Sequence, residues 1–190
     1  MQYILSKGVT YTLMRIRNFR QGDIPILFDL QQLAAETDGF AVNEMIDFMA
    51  WSTQPELEST YSVFVITDDD ETNEWGQAGT LEGVEGEVVG FTAVSLDQDT
   101  RAYHFLCKGT VHPQHRRRNA GRALLICALN HARIVSAEFE FEAEQEGQPI
   151  FLEALLPLHD PAASHLARKC EMQPVDEVVT EGMKLYRREL

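Results

Sequence analysis

Four arginines and one glycine crowd into seven residues, Arg116, Arg117, Arg118, Gly121 and Arg122, in a chain whose formal net charge is −14. Guanidinium groups grip phosphate and carboxylate through forked N–H donors, and glycine removes the Cβ that would hold a ligand off the backbone. The whole stretch reads Val111-His112-Pro113-Gln114-His115-Arg116-Arg117-Arg118-Asn119-Ala120-Gly121-Arg122-Ala123. It lies on the seam between a strand pattern that ends at Val111 and a helical pattern that begins at Arg118. The first turn of a helix offers N–H groups with no intrahelical partner, so an anion is favoured there. The seam is sized for one small polyanion.

Charge along the rest of the chain sharpens this reading. Gln21 to Thr100 contains 18 Asp and Glu and no Lys or Arg, whereas Arg101 to Ala137 contains seven Lys and Arg and no acid. So acidic a chain lacks the broad basic surface that nucleic-acid binding requires. Neither a G-x-x-x-x-G-K-[ST] loop nor a G-x-G-x-x-G fingerprint occurs.

Proton transfer needs a titratable group, and two residues stand out. Glu153 sits inside an apolar strand pattern, Phe151-Leu152-Glu153-Ala154-Leu155. A carboxylate there is costly unless it is paired or functional, and burial tunes it towards a base. A place at a strand edge, or pairing with an Arg or Lys, is the competing reading. His104 is a candidate proton relay, and alternation places it on the strand face opposite Phe105 and Cys107. Tyr103 and Tyr186 are further hydroxyl candidates. His112 and His115 are three apart, yet no third ligand stands nearby, so no metal is expected. Phe48 and Trp51 have the spacing of helical core contacts or of a lid, and Phe40 and Trp75 add aromatic surface.

These residues need a scaffold to hold them. A chain of 190 residues, 44% hydrophobic, is long enough for one domain with a real core. Leu13–Phe19 alternates as a strand, and Gly22-Asp23 is expected to cap a helix through Ile24, Leu27, Phe28, Leu30, Leu33 and Ala34. A second helix is expected after Asn43. Tyr61–Thr67 and Val88–Val94 read as strands separated by a long acidic connection, and Ala102–Val111 as a hairpin partner of the latter. From Arg118, Ala120, Leu124, Ala128 and Ala132 share a helix face, with Leu125 and Leu129 beside them. Glu138–Glu142 fits either a strand or a continuing helix, and Gly147 and Pro149 end both. Ile150–Leu156 reads as a strand, Pro161–Lys169 as a helix capped by Asp160, and Val175–Leu190 as two short strands. The fold class is therefore α/β (α+β), a layered mixed sheet flanked by helices.

No apolar run is long enough to cross a bilayer, and the first residues lack the pattern of a signal peptide, so a cytoplasmic protein with no membrane or nucleic-acid partner is expected. Cys107, Cys127 and Cys170 are far apart and odd in number, as suits reduced thiols.

The run Arg116-Arg117-Arg118-Asn119-Ala120-Gly121 resembles the cofactor motif of the GNAT superfamily of N-acetyltransferases, with Asn119 where the first glycine is usual. Asn is the side chain that best tolerates a left-handed backbone. Arg15-Ile16-Arg17 to Asp23, Val89-Gly90-Phe91 and Asp160 to Met172 are similar to other parts of that fold, covering the chain from Met14. The resemblance implies a GNAT-like domain over 14–190 behind an extension 1–13, with a central sheet of about seven strands splayed between the fourth and fifth. It implies acetyl-CoA as cosubstrate, its pantetheine arm beside Val111 and its pyrophosphate at the N–H groups from Arg117 to Ala123, with His112 and the arginines around it. It implies an amine acceptor, on a small molecule or a peptide, and favours a homodimer. Where family members often carry a Glu on the fourth strand and a Tyr on the last helix, Phe105 and Ala167 stand here, and the resemblance implies that Cys107 faces the acceptor side with Phe105. Glu153, an ordered water and His104 are then the remaining candidates for proton removal. A CoA-binding module with little or no catalysis is the alternative function.

Overall fold

The computed structural model describes residues 14–39, 62–68, 86–99, 101–158, 160–175 and 182–190. The helix expected after Asn43, the aromatics Phe40, Phe48, Trp51 and Trp75, the extension 1–13 and most of the acidic connection before Glu87 lie outside these residues.

Period-two stretches become seven strands: β1 (Met14–Asn18), β2 (Val63–Asp68), β3 (Glu87–Gln98), β4 (Tyr103–Val111), β5 (Ile150–Pro157), β6 (Gln173–Pro174) and β7 (Met183–Glu189). Among the described residues four α-helices join them: α1 (Ile24–Asp38), α2 (Ala120–Ser136), α3 (Glu140–Glu146) and α4 (Pro161–Lys169). The strand order in the sheet is β1-β2-β3-β4-β5-β7-β6. Neighbours are antiparallel except β4 and β5, which run parallel. The parallel pair needs a crossover, and α2 and α3 supply it. Among the described residues no helix is long and apolar enough to span a membrane.

The helices cover both faces of the sheet. On one face Leu27 and Leu30 of α1 close over Val63, Val65, Phe91 and Ala93. On the other, Leu125, Ala128, Leu129 and Ala132 of α2 and Ala167 of α4 pack on Phe105, Cys107, Leu152, Ala154 and Tyr186. Burying the Leu, Val and Phe side chains among these contributes about 1.5–3 kcal/mol each, before chain entropy is set against it. Gly109 lets β3 and β4 touch: a Cβ there would overlap the Phe91 carbonyl oxygen and lie 2.9 Å from Thr92 Cα.

Three local features differ from, or decide between, the expectations. Asp23 does stand before α1, but its side chain makes no capping bond. It turns back to accept from Arg17 Nη1 and Nη2 at 2.7 and 2.8 Å and from the Arg20 N–H at 2.8 Å. The Glu138–Glu146 ambiguity resolves into a break followed by α3. Phe139 swings out of helical register to stack on Tyr103 with ring centroids 4.5 Å apart, so core burial ends α2. Gly147 then closes α3 in the left-handed conformation at φ 67°. Cys107 was expected to look towards an acceptor, yet it is buried under α2 with its Sγ 3.1 Å from Thr92 Oγ1. Burial pushes its thiol up to about 11.

Candidate functional site

The site begins where the sheet divides. The β4–β5 ladder runs from Tyr103↔Ile150 to Cys107↔Ala154 and stops. Beyond that pair, Lys108–Val111 remain bonded to β3 and Leu155–Pro157 to β7. The two strands thus diverge, and each leaves one backbone edge turned into a wedge.

The basic seam lies at the mouth of this wedge. His112 turns the chain out of β4: its N–H donates to the Val89 carbonyl at 2.8 Å and its Nδ1 accepts from the Gln114 N–H at 3.2 Å. Arg117 and Asn119 are both left-handed, at φ 64° and 70°. Two such residues in one short loop cost about 1 kcal/mol each. Asn119 therefore takes the conformation for which glycine is the usual choice. The Ala123 N–H is already engaged, donating to the Asn119 carbonyl at 3.0 Å. The unpaired donors of the first turn are those of Ala120, Gly121 and Arg122.

Gly121 faces the wedge. The atoms nearest to a Cβ built there are Leu166 Cδ2 of α4, at 3.6 Å, and Val111 Cγ2 of β4, at 3.8 Å. A side chain at this position would occupy the gap between α2, β4 and α4, the path open to an extended ligand leaving the seam.

The arginines divide into two roles. Arg116 is a strut, because its guanidinium forks onto Asp38 at the end of α1 at 2.6 and 2.7 Å and its Nε donates to the Val111 carbonyl at 3.1 Å. Arg118 reaches Asp68 of β2 at 3.7 Å. Arg117 and Arg122 have no carboxylate partner among the described residues. His115 Nδ1 lies 3.2 Å from Asp68 Oδ2, and the His112 and His115 rings meet edge to face at 5.3 Å. Among the described residues no group of three His, Cys, Asp or Glu is placed to hold a metal.

Below the wedge, on the sheet face opposite α2 and α4, Glu153 is 7% exposed. It stands opposite Leu106, one pair before the ladder ends. Arg187 of β7 donates through Nε to Glu153 Oε1 at 2.6 Å, its Nη2 lies 2.6 Å from that oxygen, and His104 Nδ1 lies 3.2 Å from it. Arg187 also covers the Phe151 ring at 4.6 Å. All three contacts fall on Oε1, and Oε2 has no hydrogen-bond partner among the described residues. Arg187 and His104 thus converge on one oxygen and leave the other open. His104 Nε2 in turn lies 3.7 Å from the exposed Asp99.

Sequence reading brought Glu153 and His104 forward separately, and the structure places them together. It missed Arg187, Asp38 and Asp68. Arg187 left one trace: in β7 it alternates with the core residue Tyr186, so a cation was bound for the same face as Glu153. Phe105 and Ala167, where an acid or base was looked for, are both core residues, 2% and 0% exposed. Tyr103 is held in the stack on Phe139, and Tyr186 faces the α2 and α4 side.

No curated protein matches the chain. Solved structures similar in fold include yncA, a putative acetyltransferase from Salmonella typhimurium with its cofactor acetyl-CoA, at 17% identity, 93% of this chain, 94% of that one and a TM-score of 0.59. Another is Naa50 of Arabidopsis thaliana in complex with a bisubstrate analogue, at 11% identity, 93% and 99% coverage and a TM-score of 0.59. A GCN5-related N-acetyltransferase from Kribbella flavida gives 17% identity, 93% and 98% coverage and 0.58. At such identities the likeness is one of fold. The sequence evidence is separate: residues 43–149, more than half of the chain, match the profile described as the Acetyltransferase (GNAT) family. With that match, a sheet split between parallel strands and a left-handed arginine turn opening a helix at the split, the chain belongs to the GNAT family of acetyltransferases.

Proposed function

We propose that the protein is an acetyl-CoA-dependent N-acetyltransferase that acts on a primary amine of a small molecule or peptide. The observation that carries this reading is the wedge beyond Cys107 and Ala154, which opens onto the unpaired N–H groups of α2. The diphosphate would be held by the N–H groups of Ala120, Gly121 and Arg122 and by the side chains of Arg117 and Arg122. The free edge of Lys108–Val111 would take the extended arm, and Gly121 leaves room for it. The cosubstrate supplies a thioester whose carbonyl carbon accepts the amine nitrogen as the C–S bond breaks.

What the chain must add is a proton acceptor, since an ammonium has no lone pair with which to attack. Glu153 fills that role through Oε2, directly or through one water, while Arg187 and His104 fix Oε1. The net charge of −14 favours the approach of a cationic amine. The test is release of free thiol from acetyl-CoA against a panel of small amines, polyamines and peptides. Turnover with at least one acceptor is expected. Binding of CoA without turnover of any acceptor would instead support a cofactor-binding module, the reading favoured by the burial of Phe105 and Ala167 in the core.

A further inference from the structure

The turn that opens α2 has a shape that its own residue types do not favour. Arg117 and Asn119 are left-handed at φ 64° and 70°, a conformation that glycine takes without strain and other residues keep only where their surroundings impose it. The constraint must come from outside the turn.

Arg116 stands immediately before the first of these residues, and its side chain is pinned. Nε donates to the Val111 carbonyl at 3.1 Å, and Nη1 and Nη2 fork onto Oδ1 and Oδ2 of Asp38 at 2.6 and 2.7 Å. One side chain thus ties together the end of β4, the end of α1 and the entry of the turn. A fork of this kind fixes a guanidinium in angle as well as in distance.

Asp38 is out of place by the rules of its own helix. It is the last residue of α1, where the dipole and the unpaired carbonyls disfavour a carboxylate, and no basic residue of that last turn offsets it. The compensating charge arrives from 78 residues away, on the residue that leads into the left-handed turn. A comparable fork at the other end of α1, Arg17 on Asp23 at 2.7 and 2.8 Å, has no left-handed residue beside it. The two pairs have similar geometry and different neighbours, so one serves as the control for the other.

We propose that Asp38 is a positioning residue for the cofactor. Without touching it, the carboxylate holds Arg116, and through Arg116 the turn at Arg117 and Asn119, in the shape that aims the N–H groups of Ala120, Gly121 and Arg122 at the diphosphate. Without the fork, the turn relaxes towards ordinary backbone angles and the donors lose their common aim. The inference rests on the reading of this seam as the diphosphate site.

The test is calorimetry of CoA binding by the full chain at fixed ionic strength, at a temperature where thermal melts show every variant folded. Asn at position 38 keeps the shape but can accept only one of the two bonds, so D38N should weaken CoA binding about tenfold, whereas D38E, which keeps the charge, should stay within about threefold of the parent. In an R116Q background D38N should add less than about a twofold change, because the pair is already broken. D23N should lower the melting temperature and leave CoA affinity unchanged, which separates loss of aim from general loosening. R117Q/R122Q shows that the heat reports on the seam. A D38N affinity within about twofold of the parent overturns the proposal, as does a loss in D23N as large as that in D38N. Tighter binding in D38N also overturns it, since Asp38 would then be withholding Arg116 from the anion. No heat with the parent overturns the cofactor reading and this inference with it, whereas heat with the parent and an unchanged D38N overturns this inference alone.

Discussion

Replacing Glu153 by Gln probes the proposed chemistry with little change of shape. Gln keeps an oxygen for the Arg187 fork at 2.6 Å and for His104 at 3.2 Å, so the pairing geometry survives while the charge goes. The Arg187 side chain is 34% exposed and can recover hydration, so the stability cost should be about 1 kcal/mol rather than the 3–5 kcal/mol of a stranded buried charge. The catalytic cost is larger. A primary amine with a pKa of about 10.4 is roughly 0.1% neutral at pH 7.5, so an enzyme without a base must draw on that fraction. General-base assistance contributes about 10²–10⁴-fold, or roughly 3–5 kcal/mol. E153Q should therefore lose about two to three orders of magnitude in kcat/KM near pH 7.5, and regain about tenfold per pH unit towards the pKa of the acceptor. R187Q retains the carboxylate but frees it to rotate, and should lose only about tenfold. The assay is thiol release at saturating acetyl-CoA from about pH 6.5 to 9.5, with thermal melts to check folding. If E153Q keeps kcat/KM within about threefold of the parent and its profile runs parallel, Glu153 is only the ion-pair partner of Arg187 and the base lies elsewhere.

Three further outcomes follow from the geometry. R117Q/R122Q should weaken CoA binding by about ten- to a hundredfold and flatten its salt dependence with melting unchanged, since neither arginine has a carboxylate partner among the described residues; calorimetry at two salt concentrations checks this, and a change under about twofold would remove these side chains from the site. Asn119→Gly should be neutral or slightly stabilising at φ 70°, whereas Asn119→Val should lose about 1–2 kcal/mol in denaturant melts. Burial alone would raise the Asp23 carboxyl, but the hydrogen bonds from Arg17 and the Arg20 N–H, with both charges, hold it below the usual range. Its stabilisation is then fully present above the unfolded value of about 4 and fades as pH falls through the lower folded value, so Asp23→Asn should cost about 2–3 kcal/mol at pH 7 and progressively less below pH 4. A constant difference between pH 7 and pH 3 would refute that linkage.

The parts legible in the sequence were those governed by near neighbours along the chain. Period-two and period-3.6 patterns placed the strands and the α2 face, because burial follows the geometry of the backbone itself. Asp160 caps α4 by accepting from the Ala162 N–H at 2.8 Å, and Asn119 turns left-handed, because both act within a few bonds of their own backbone. The basic seam was visible for the same reason: its donors and its charges are contiguous.

What the tertiary structure alone decided is which distant groups meet. Glu153 reads in the sequence as either a base or an ion-pair partner; only the register β4-β5-β7 brings Arg187, 34 residues away, and His104 onto one of its oxygens and leaves the other free. Arg116 and Arg117 are neighbours of one residue type, yet one is braced against Asp38, 78 residues distant, and the other has no carboxylate partner among the described residues. The end of α2 belongs here too, since Phe139 leaves the helix to join a stack on Tyr103. Such pairings depend on strand order and face, which arise when the whole chain packs and have no counterpart in local periodicity.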